Sequence, residues 1–293
     1  MQAQEHLTIE SMCRVTGVSR AGFYRYWQER APDAEEMELR AQIQQIVVRH
    51  RRNYGYRRVT RDLHDDLGWI VNHKRVARIM KEDNLLAIRR SRFVLTTNSR
   101  HTLPVYPNVA RHLQPTGIDQ LWVADITYIR LQQDFVFLAV ILDAFSRRVL
   151  GWALQDSLHA ELAVKALRMA LAEREPKPGL VHHSDQGVQY ASQAYIDLLE
   201  QHGIRSSMSR VGNPYDNARC ESFMKTLKQE EIYTRQYRDR RDLEKHIAEF
   251  LENYYNRIRR HSALGYLSPD VFERTFMLPP PPQLSLALEF SEA

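Results

Sequence analysis

The spacing of apolar residues differs between the first and the second part of the chain, and the spacing in the second part predicts strands. From about Asp119 onward, short apolar runs predict strands at 121–129, 135–143 and 148–154. The middle run, FVFLAVIL, is continuously apolar, as expected of a strand that is buried on both faces. Helical spacing follows at 160–173, and short strands then alternate with helices. These patterns predict an α/β fold built on one mixed sheet.

The first part of the chain shows helical patterns instead. In LTIESMCRVTGVSRAGFYRYWQER, one short helix is expected to end at Gly17 and a second to begin after Ser19. The stretch YGYRRVTRDLHDDLGWIVNHKRVARIMKEDN predicts another pair, with a break at Gly68 and a second helix from about Asn72. Two helices joined by a short turn that contains Gly are typical of a helix-turn-helix.

Charge is divided unevenly between these two parts. Residues 1–114 hold 20 Lys or Arg against 12 Asp or Glu, whereas residues 115–293 hold 21 against 24. A basic first part predicts binding to a polyanion such as DNA. The alternative, which holds for most single residues, is that basic side chains on helices are only solvated. The candidate DNA-contacting residues here are Arg57, Arg58, Lys74, Arg75 and Arg78.

Composition excludes several classes of protein. No apolar run approaches the roughly 18 residues of a membrane span, and the polar, acidic stretch 1–10 lacks the pattern of a signal peptide. Cys13 and Cys220 are too few for a disulfide framework or a zinc site. The sequence therefore favours a cytoplasmic protein without a membrane partner.

Three acidic residues form the candidate catalytic site. Asp125 lies in the apolar run LWVADITYI, Asp185 follows GLVHHS, and Glu221 lies in NPYDNARCESFMKTLK. Carboxylates at the ends of apolar strands are costly unless a positive partner compensates them, and Mg²⁺ prefers oxygen ligands. Each residue alone has a simpler explanation: an Arg partner for Asp125, a turn for Asp185, or a pair with Lys225 for Glu221. Together they predict one metal site.

Several stretches, in this order and spacing, resemble bacterial insertion-sequence transposases of the OrfB type, which have a retroviral-integrase-like catalytic core. The resemblance extends from about Leu7 to Phe272. The stretches that carry it are YGYRRVTRDL, VNHKRVARIM, LWVADITYI, FLAVILDAFSRRVLGWAL, HHSDQGVQY, NPYDNARCESF and YNRIRRHSALGYLSP. The expected fold is a ribonuclease-H-like mixed-sheet catalytic domain preceded by helix-turn-helix DNA-binding units. The function it implies is metal-dependent cleavage at element ends, followed by joining of 3′-hydroxyl ends to target DNA.

The resemblance also implies a cofactor and roles at the site. Asp125, Asp185 and Glu221 would bind two Mg²⁺ ions, for which Mn²⁺ would substitute. One ion would activate water or a DNA 3′-hydroxyl and the other would stabilise the leaving oxygen, so that no protein nucleophile is needed. Lys228 follows Glu221 by two helical turns on nearly the same face. It is expected to point toward DNA near the metal ions, as the matching lysine does in this family.

Partners follow from the same resemblance. DNA would be bound as terminal inverted repeats, which the N-terminal helices read, and as target DNA. Action on two element ends implies a homo-multimer in a synaptic complex. Many relatives are fused to an upstream reading-frame product that carries a leucine zipper. This chain shows no sustained leucine heptads, so a fusion with such a product is left open.

Five parts of the chain are predicted. They are a helix-turn-helix at 1–31, a second helical DNA-binding unit at 32–88, a basic linker at 89–118, an integrase-like catalytic core at 119–277 and a Pro-rich tail at 278–293. Two other functions are considered: a plain nuclease with the same core, and a DNA-binding regulator on an inactive scaffold. The helix pairs argue against the first, because a hydrolase of hybrid duplexes needs no sequence reading. The three acidic residues argue against the second.

Overall fold

The computed structural model describes residues 8–27, 34–87, 104–131, 134–210 and 217–277. The first part of the predicted linker, the loop at 211–216 and the predicted Pro-rich tail lie outside the described residues. The chain divides into two compact units, Met1–Leu86 and Ala87–Ala293. Each unit is described by itself. Every helix within the described ranges is too short or too polar to span a lipid bilayer.

The first unit contains helices only. These are α1 (Ile9–Thr16), α2 (Arg20–Trp27), α3 (Ala34–Arg49), α4 (Tyr56–Asp65) and α5 (His73–Glu82). The predicted turn between α1 and α2 is confirmed. Gly17 ends α1 in the left-handed conformation, with a φ of 69°, which favours glycine. The Ser19 Oγ then accepts a hydrogen bond from the Gly22 amide at 3.0 Å.

Helices α3, α4 and α5 surround one apolar core. An apolar stripe on α5, formed by Val76, Ile79 and Met80, is fully buried against apolar residues of α3 and α4. The Asn72 side chain begins α5 by accepting a hydrogen bond from the Lys74 amide at 2.9 Å. The apolar residues of α5 thus recur at the helical period and form the face that the unit buries.

The second unit is built on a five-stranded mixed sheet. Its strands are β1 (Leu121–Arg130), β2 (Phe135–Asp143), β3 (Val149–Gln155), β4 (Val181–Ser184) and β5 (Arg205–Met208). The strand order is β3-β2-β1-β4-β5. The first three strands are antiparallel, whereas β4 pairs in parallel with both β1 and β5. This topology confirms the expected ribonuclease-H-like mixed sheet.

Helices cover both faces of this sheet. They are α6 (Ala160–Glu173), α7 (Gln193–Gln201), α8 (Ala218–Glu230), α9 (Arg240–Ala248), which continues as a π-helical segment at Glu249–Tyr255, and α10 (Pro269–Met277). Successive residues of β1 point to opposite faces. Leu121 belongs to the core under α8 and α9, whereas Trp122 belongs to the core under α6 and α7. At Gly151, an added Cβ would lie 2.1 Å from the Ala166 carbonyl oxygen, so β3 and α6 can pack this closely only with glycine.

Residues 104–118, which were assigned to the predicted linker, lie against the core of the second unit. Tyr106 packs against the core on one face of the sheet, and Val109 and Leu113 pack against the core on the other. The Ala110 amide donates a hydrogen bond to the Ser207 Oγ at 3.2 Å. This segment therefore contributes to the packing of the sheet domain.

The segment after α9 holds α8 and β3 in place. Arg259 makes two hydrogen bonds to the Glu230 carboxylate at the end of α8, at 2.8 and 2.6 Å, and both residues are buried. The Asn256 side chain accepts a hydrogen bond from the Val149 amide and donates one to the Val149 carbonyl, each at 2.9 Å. These polar contacts connect the late part of the chain to the centre of the domain.

Candidate active site

The three predicted acidic residues lie on adjacent elements of the second unit. Asp125 lies within β1, Asp185 directly follows β4, and Glu221 lies in the first turn of α8. Strand β4 runs parallel to β1, with Val123 opposite His183. The same register continued by two residues sets Asp125 beside Asp185.

The electrostatics of Asp125 identify the charges around it. Burial raises the pKa of Asp125 to about 7, and the negative charges of Asp185 and Glu221 act in the same direction. A hydrogen bond from the Ile126 amide, at 2.9 Å, and the positive charge of Lys228 act to lower this pKa. Burial also raises the pKa of Glu221. Asp125 therefore lies in a cluster of like charges with an ammonium group nearby.

The simpler explanations of the acidic residues account for one of the three. Across the described ranges, Asp125 has no arginine partner in an ion pair, and Glu221 makes no ion pair with Lys225. Asp185 does act as a turn residue, because its Oδ1 accepts a hydrogen bond from the Gly187 amide at 2.9 Å. That bond also holds the Asp185 carboxylate in a defined orientation.

Asn217 attaches the start of α8 to β1. Asn is a common helix cap, but the Asn217 side chain makes no capping hydrogen bond. Its Nδ2 instead donates to the Ala124 carbonyl at 3.0 Å. Because Ala124 directly precedes Asp125, this bond holds the first turn of α8, and Glu221 with it, next to the aspartate.

Lys228 lies within electrostatic range of Asp125. Its Nζ is 5.9 Å from the centroid of the Tyr128 ring on β1. Burial lowers the pKa of Lys228, whereas the negative charge of Asp125 raises it. The structure thus brings a partly buried ammonium group within electrostatic range of Asp125.

Two histidines next to Asp185 are engaged in hydrogen bonds. The His182 Nε2 lies 2.9 Å from the Tyr195 hydroxyl, and the His183 Nδ1 lies 2.9 Å from the Ser207 Oγ. Burial lowers the pKa of His182 to about 3, so that its ring is neutral. Both rings are therefore part of the packing beneath the loop that carries Asp185.

The acidic residues have the donor chemistry that a divalent cation requires. Carboxylate oxygens are the ligands that Mg²⁺ prefers, and a cation would relieve the repulsion between Asp125 and Asp185 that raises the pKa of Asp125. In the part of the chain that the structure describes, no three His, Cys, Asp or Glu side chains form a group that could hold a metal ion.

The candidate DNA-contacting residues of the first unit fall on α4 and α5. The Arg57 guanidinium lies 5.7 Å from the Tyr56 ring centroid, and the Arg58 guanidinium lies 5.3 Å from the Tyr54 ring centroid. Arg57 and Lys74 are exposed. These side chains leave positive charge on the surface of the unit.

Arg75 and Arg78 make ion pairs inside the first unit. Arg75 pairs with Glu35 of α3 at 3.1 Å. Arg78 pairs with Glu36 of α3 at 3.1 Å and with Glu82 of α5 at 2.9 Å. Two of the residues predicted to contact DNA therefore also connect α5 to α3, and the sequence patterns did not predict this.

Family models match most of the chain. A model described as an HTH-like domain matches residues 34–93, and two models described as integrase core domains match residues 115–214 and 202–269. An integrase core implies a polynucleotidyl transferase that depends on a divalent metal ion. The first of these matches contains α3, α4 and α5, and the other two contain the sheet and the three acidic residues.

The chain is also similar to curated proteins of insertion sequences. One relative is the insertion element IS600 uncharacterized 31 kDa protein of Shigella sonnei, to which the chain is 41% identical over 268 residues. The aligned region covers 90% of this chain and 98% of that relative. Another relative is the transposase InsF for insertion sequence IS3A of Escherichia coli strain K12, to which the chain is 36% identical over 275 residues. The aligned region covers 92% of this chain and 95% of that relative.

Among solved structures, the chain is similar to the simian T-cell lymphotropic virus intasome in complex with the PP2A regulatory subunit B56 gamma. That similarity has 18% identity and a TM-score of 0.47, and it covers 78% of this chain and 73% of the other. The family assignment follows from the curated relatives, whose similarity spans nearly their full length. The chain belongs to the family of insertion-sequence transposases with an integrase core domain.

Proposed function

We propose that this transposase cuts DNA at the ends of an insertion sequence and joins the 3′-hydroxyl ends to target DNA at a site formed by Asp125, Asp185 and Glu221. The observation that carries this proposal is the electrostatic coupling of Asp125 to both other acidic residues. Perturbed carboxylates in one cluster are typical of catalytic sites. Two Mg²⁺ ions, or Mn²⁺ in their place, would activate the attacking hydroxyl and stabilise the leaving oxygen when bound there.

The acidic residues of the site would bind the metal ions, and Lys228 would bind the DNA. Asp125 and Asp185 come from adjacent parallel strands and would provide oxygen ligands from a rigid sheet. Glu221 is partly exposed on α8 and would provide a third carboxylate. The Lys228 ammonium would hold a DNA phosphate next to the scissile bond, because it lies within electrostatic range of Asp125. No covalent intermediate with the protein is required.

The first unit would supply DNA binding. Exposed Arg57 and Lys74, with Arg58 beside them, would contact phosphates or bases. Arg75 and Arg78 would contribute only if DNA competes with their glutamates, since both are already in ion pairs. The element ends would be terminal inverted repeats, and the need to hold two of them supports a homo-multimer in a synaptic complex. A fusion with an upstream reading-frame product would extend this recognition.

The test is an assay with labelled element-end DNA and Mg²⁺ or Mn²⁺. Strand-joined products are expected. Nicks without joining would favour a plain nuclease, and a shifted band without any chemistry would favour a DNA-binding regulator. Omission of the metal ion, or addition of a chelator, should abolish the products while DNA binding by the helical unit remains.

Asp185→Asn tests the assignment of the site. The substitution keeps the size of the side chain but removes its charge, so cleavage and joining should be abolished while DNA binding is retained. Asp197→Asn, at an exposed position on α7, is the matched control and should leave the reaction unchanged. Cleavage at the wild-type rate by Asp185→Asn would remove Asp185 from the site.

A further inference from the structure

Tyr190 is a buried residue whose hydroxyl group has no bonding partner. Its side chain is 2% exposed. Within the ranges that the structure describes, its hydroxyl oxygen is fully buried and makes no hydrogen bond. Burial of a hydroxyl group without a hydrogen bond is destabilising, and phenylalanine would fill the same space without that cost. The hydroxyl group therefore indicates a role that the packing of the ring does not explain.

The side chain of Tyr190 lies next to the Asp185 carboxylate. The Tyr190 amide donates a hydrogen bond to the Gly187 carbonyl at 3.0 Å, which closes a tight turn after Asp185. A Cβ added at Gly187 would lie 2.9 Å from the Asp185 Oδ1 and 3.6 Å from the Tyr190 Cδ2. The carboxylate and the phenol ring thus flank the same small volume, which only glycine leaves open.

The electrostatics of Tyr190 agree with this geometry. Burial raises the pKa of Tyr190 well above its usual value, and the neighbouring Tyr195 raises it further. The next contributions come from the negative charges of Asp185 and Asp125. The phenol therefore remains protonated, and it lies within electrostatic range of both aspartates.

The neighbouring Tyr195 provides a contrast. The two tyrosine rings pack edge to face with centroids 5.4 Å apart, and both residues are buried. The Tyr195 hydroxyl is bonded to the His182 Nε2 at 2.9 Å. His182 also contacts the Tyr190 ring, at a centroid distance of 6.4 Å. Two similar tyrosines thus share one environment, but only the one next to the aspartates lacks a hydrogen bond.

We propose that Tyr190 is a positioning residue, whose hydroxyl group donates a hydrogen bond to the Asp185 carboxylate when Asp185 and Asp125 bind a divalent cation. The inference rests on the proposed function of the two aspartates as metal ligands. A donor that fixes one carboxylate oxygen leaves the remaining oxygens oriented toward the cation. Groups that orient metal ligands in this way typically account for about 10- to 100-fold in metal affinity.

The experiment compares Tyr190→Phe with Tyr195→Phe in the full-length chain. Binding of Mn²⁺ and of Mg²⁺ alone is measured by calorimetry, and the melting temperature is measured without metal. Tyr190→Phe is expected to bind metal about 10-fold more weakly while the metal-free protein melts at or above the wild-type temperature. Tyr195→Phe is expected to lower the melting temperature, because it removes the bond to His182, and to keep the wild-type affinity.

Two results would overturn the inference. One is wild-type metal affinity in Tyr190→Phe. The other is a lower melting temperature of metal-free Tyr190→Phe, since the hydroxyl group would then be bonded without the cation. Asp185→Asn, measured in parallel, separates this inference from the proposed function. Lost affinity in Asp185→Asn with unchanged affinity in Tyr190→Phe refutes only the role of Tyr190, whereas unchanged affinity in Asp185→Asn refutes the metal site itself.

Discussion

At the scale of single residues, the candidate site brings buried and like-charged carboxyl groups together, which destabilises the folded protein. Asp125 is held in an apolar strand next to Asp185, and its pKa is raised to about 7 by burial and by that neighbour. A carboxyl group with a raised pKa binds its proton more tightly in the folded state than in the unfolded state. The acidic cluster therefore makes the metal-free protein less stable at the pH at which the enzyme would work.

We expect the metal-free protein to lose stability as the pH rises from about 4 to about 7. The ordinary pKa of an aspartate is 3.8, and the folded-state pKa of Asp125 is about 7. Between these values the folded state holds the additional proton, so the free energy of unfolding falls with rising pH, by on the order of 3 kcal/mol. Thermal denaturation in a chelator should show this, and added Mg²⁺ should reverse it.

Asp125→Asn is the variant that isolates this effect. It cannot ionise, so its stability should depend less on pH than that of the wild type and should be higher near pH 8. Asp197→Asn should keep the wild-type dependence, because the Asp197 side chain is exposed. The same slope in Asp125→Asn as in the wild type would show that another group is responsible.

Residue types and spacing select the acidic residues as a candidate site, but they do not indicate the groups that orient them. Asp125, Asp185 and Glu221 stand in distinctive local sequences, which is why they could be selected. Asn217 reaches the Ala124 carbonyl across 93 positions of sequence, and no local pattern indicates such a contact. The role of Asn217 was therefore accessible only after α8 and β1 had been placed together.

At the scale of secondary-structure elements, α8 is fixed at both of its ends. Asn217 connects its start to β1, and the buried pair of Glu230 and Arg259 connects its end to the segment after α9. The carboxylate of Glu221, which belongs to the proposed site, and the ammonium group of Lys228 lie between these two attachments. The orientation of α8 thus depends on polar contacts as well as on its apolar face.

Arg259→Met should destabilise the second unit strongly. It removes the guanidinium group of Arg259 from the buried Glu230 carboxylate, and the loss of one member of a buried ion pair typically costs about 3–5 kcal/mol. Urea denaturation should measure the loss, and a double variant with Glu230→Met should recover much of it. Arg238→Met is the control, because Arg238 is 86% exposed in its pair with Asp242 and its loss should have little effect. Equal stability of Arg259→Met and the wild type would contradict this role.

Substitutions of two basic residues on α5, Lys74 and Arg78, should have different effects on DNA binding and on stability. Lys74→Ala should weaken DNA binding and reduce the slope of affinity against salt concentration by about one ion, because it removes one phosphate contact. Arg78→Ala should mainly lower the stability of the helical unit, since Arg78 pairs with Glu36 and Glu82. Fluorescence titrations at several salt concentrations would measure both. A larger loss of affinity in Arg78→Ala than in Lys74→Ala would reverse this assignment.

The helices and strands with strong periodic patterns were predicted from the sequence, whereas α10 was not. The helix spans only nine residues, Pro269–Met277, so its start signals, Ser268 before the proline and Asp270 in the first turn, are followed by little more than two turns of apolar pattern. It is held by Arg148, which pairs with Asp270, and by Arg174, which pairs with Glu273. Both arginines are distant in sequence, so the stabilising contacts of α10 are tertiary and leave no local trace.

At the scale of the whole molecule, the segment at 104–118 determines where the second unit can be separated from the first. A fragment that begins at residue 104 should fold, because it keeps Tyr106, Val109 and Leu113 on the core. A fragment that begins at residue 119 should melt at a lower temperature. The longer fragment should also lose end-specific DNA binding, which would reside in the first unit. Equal melting temperatures would show that residues 104–118 add no stability.

The contacts of Asn256 and Arg259 come after all three acidic residues in the sequence. Asn256 fixes β3 through Val149, and Arg259 fixes the end of α8 through Glu230. A chain that stops before Asn256 would keep Asp125, Asp185 and Glu221 but lose both of these attachments. Such a chain would carry the complete acidic set, but its sheet domain should be less stable than that of the full chain, because β3 and the end of α8 would no longer be fixed.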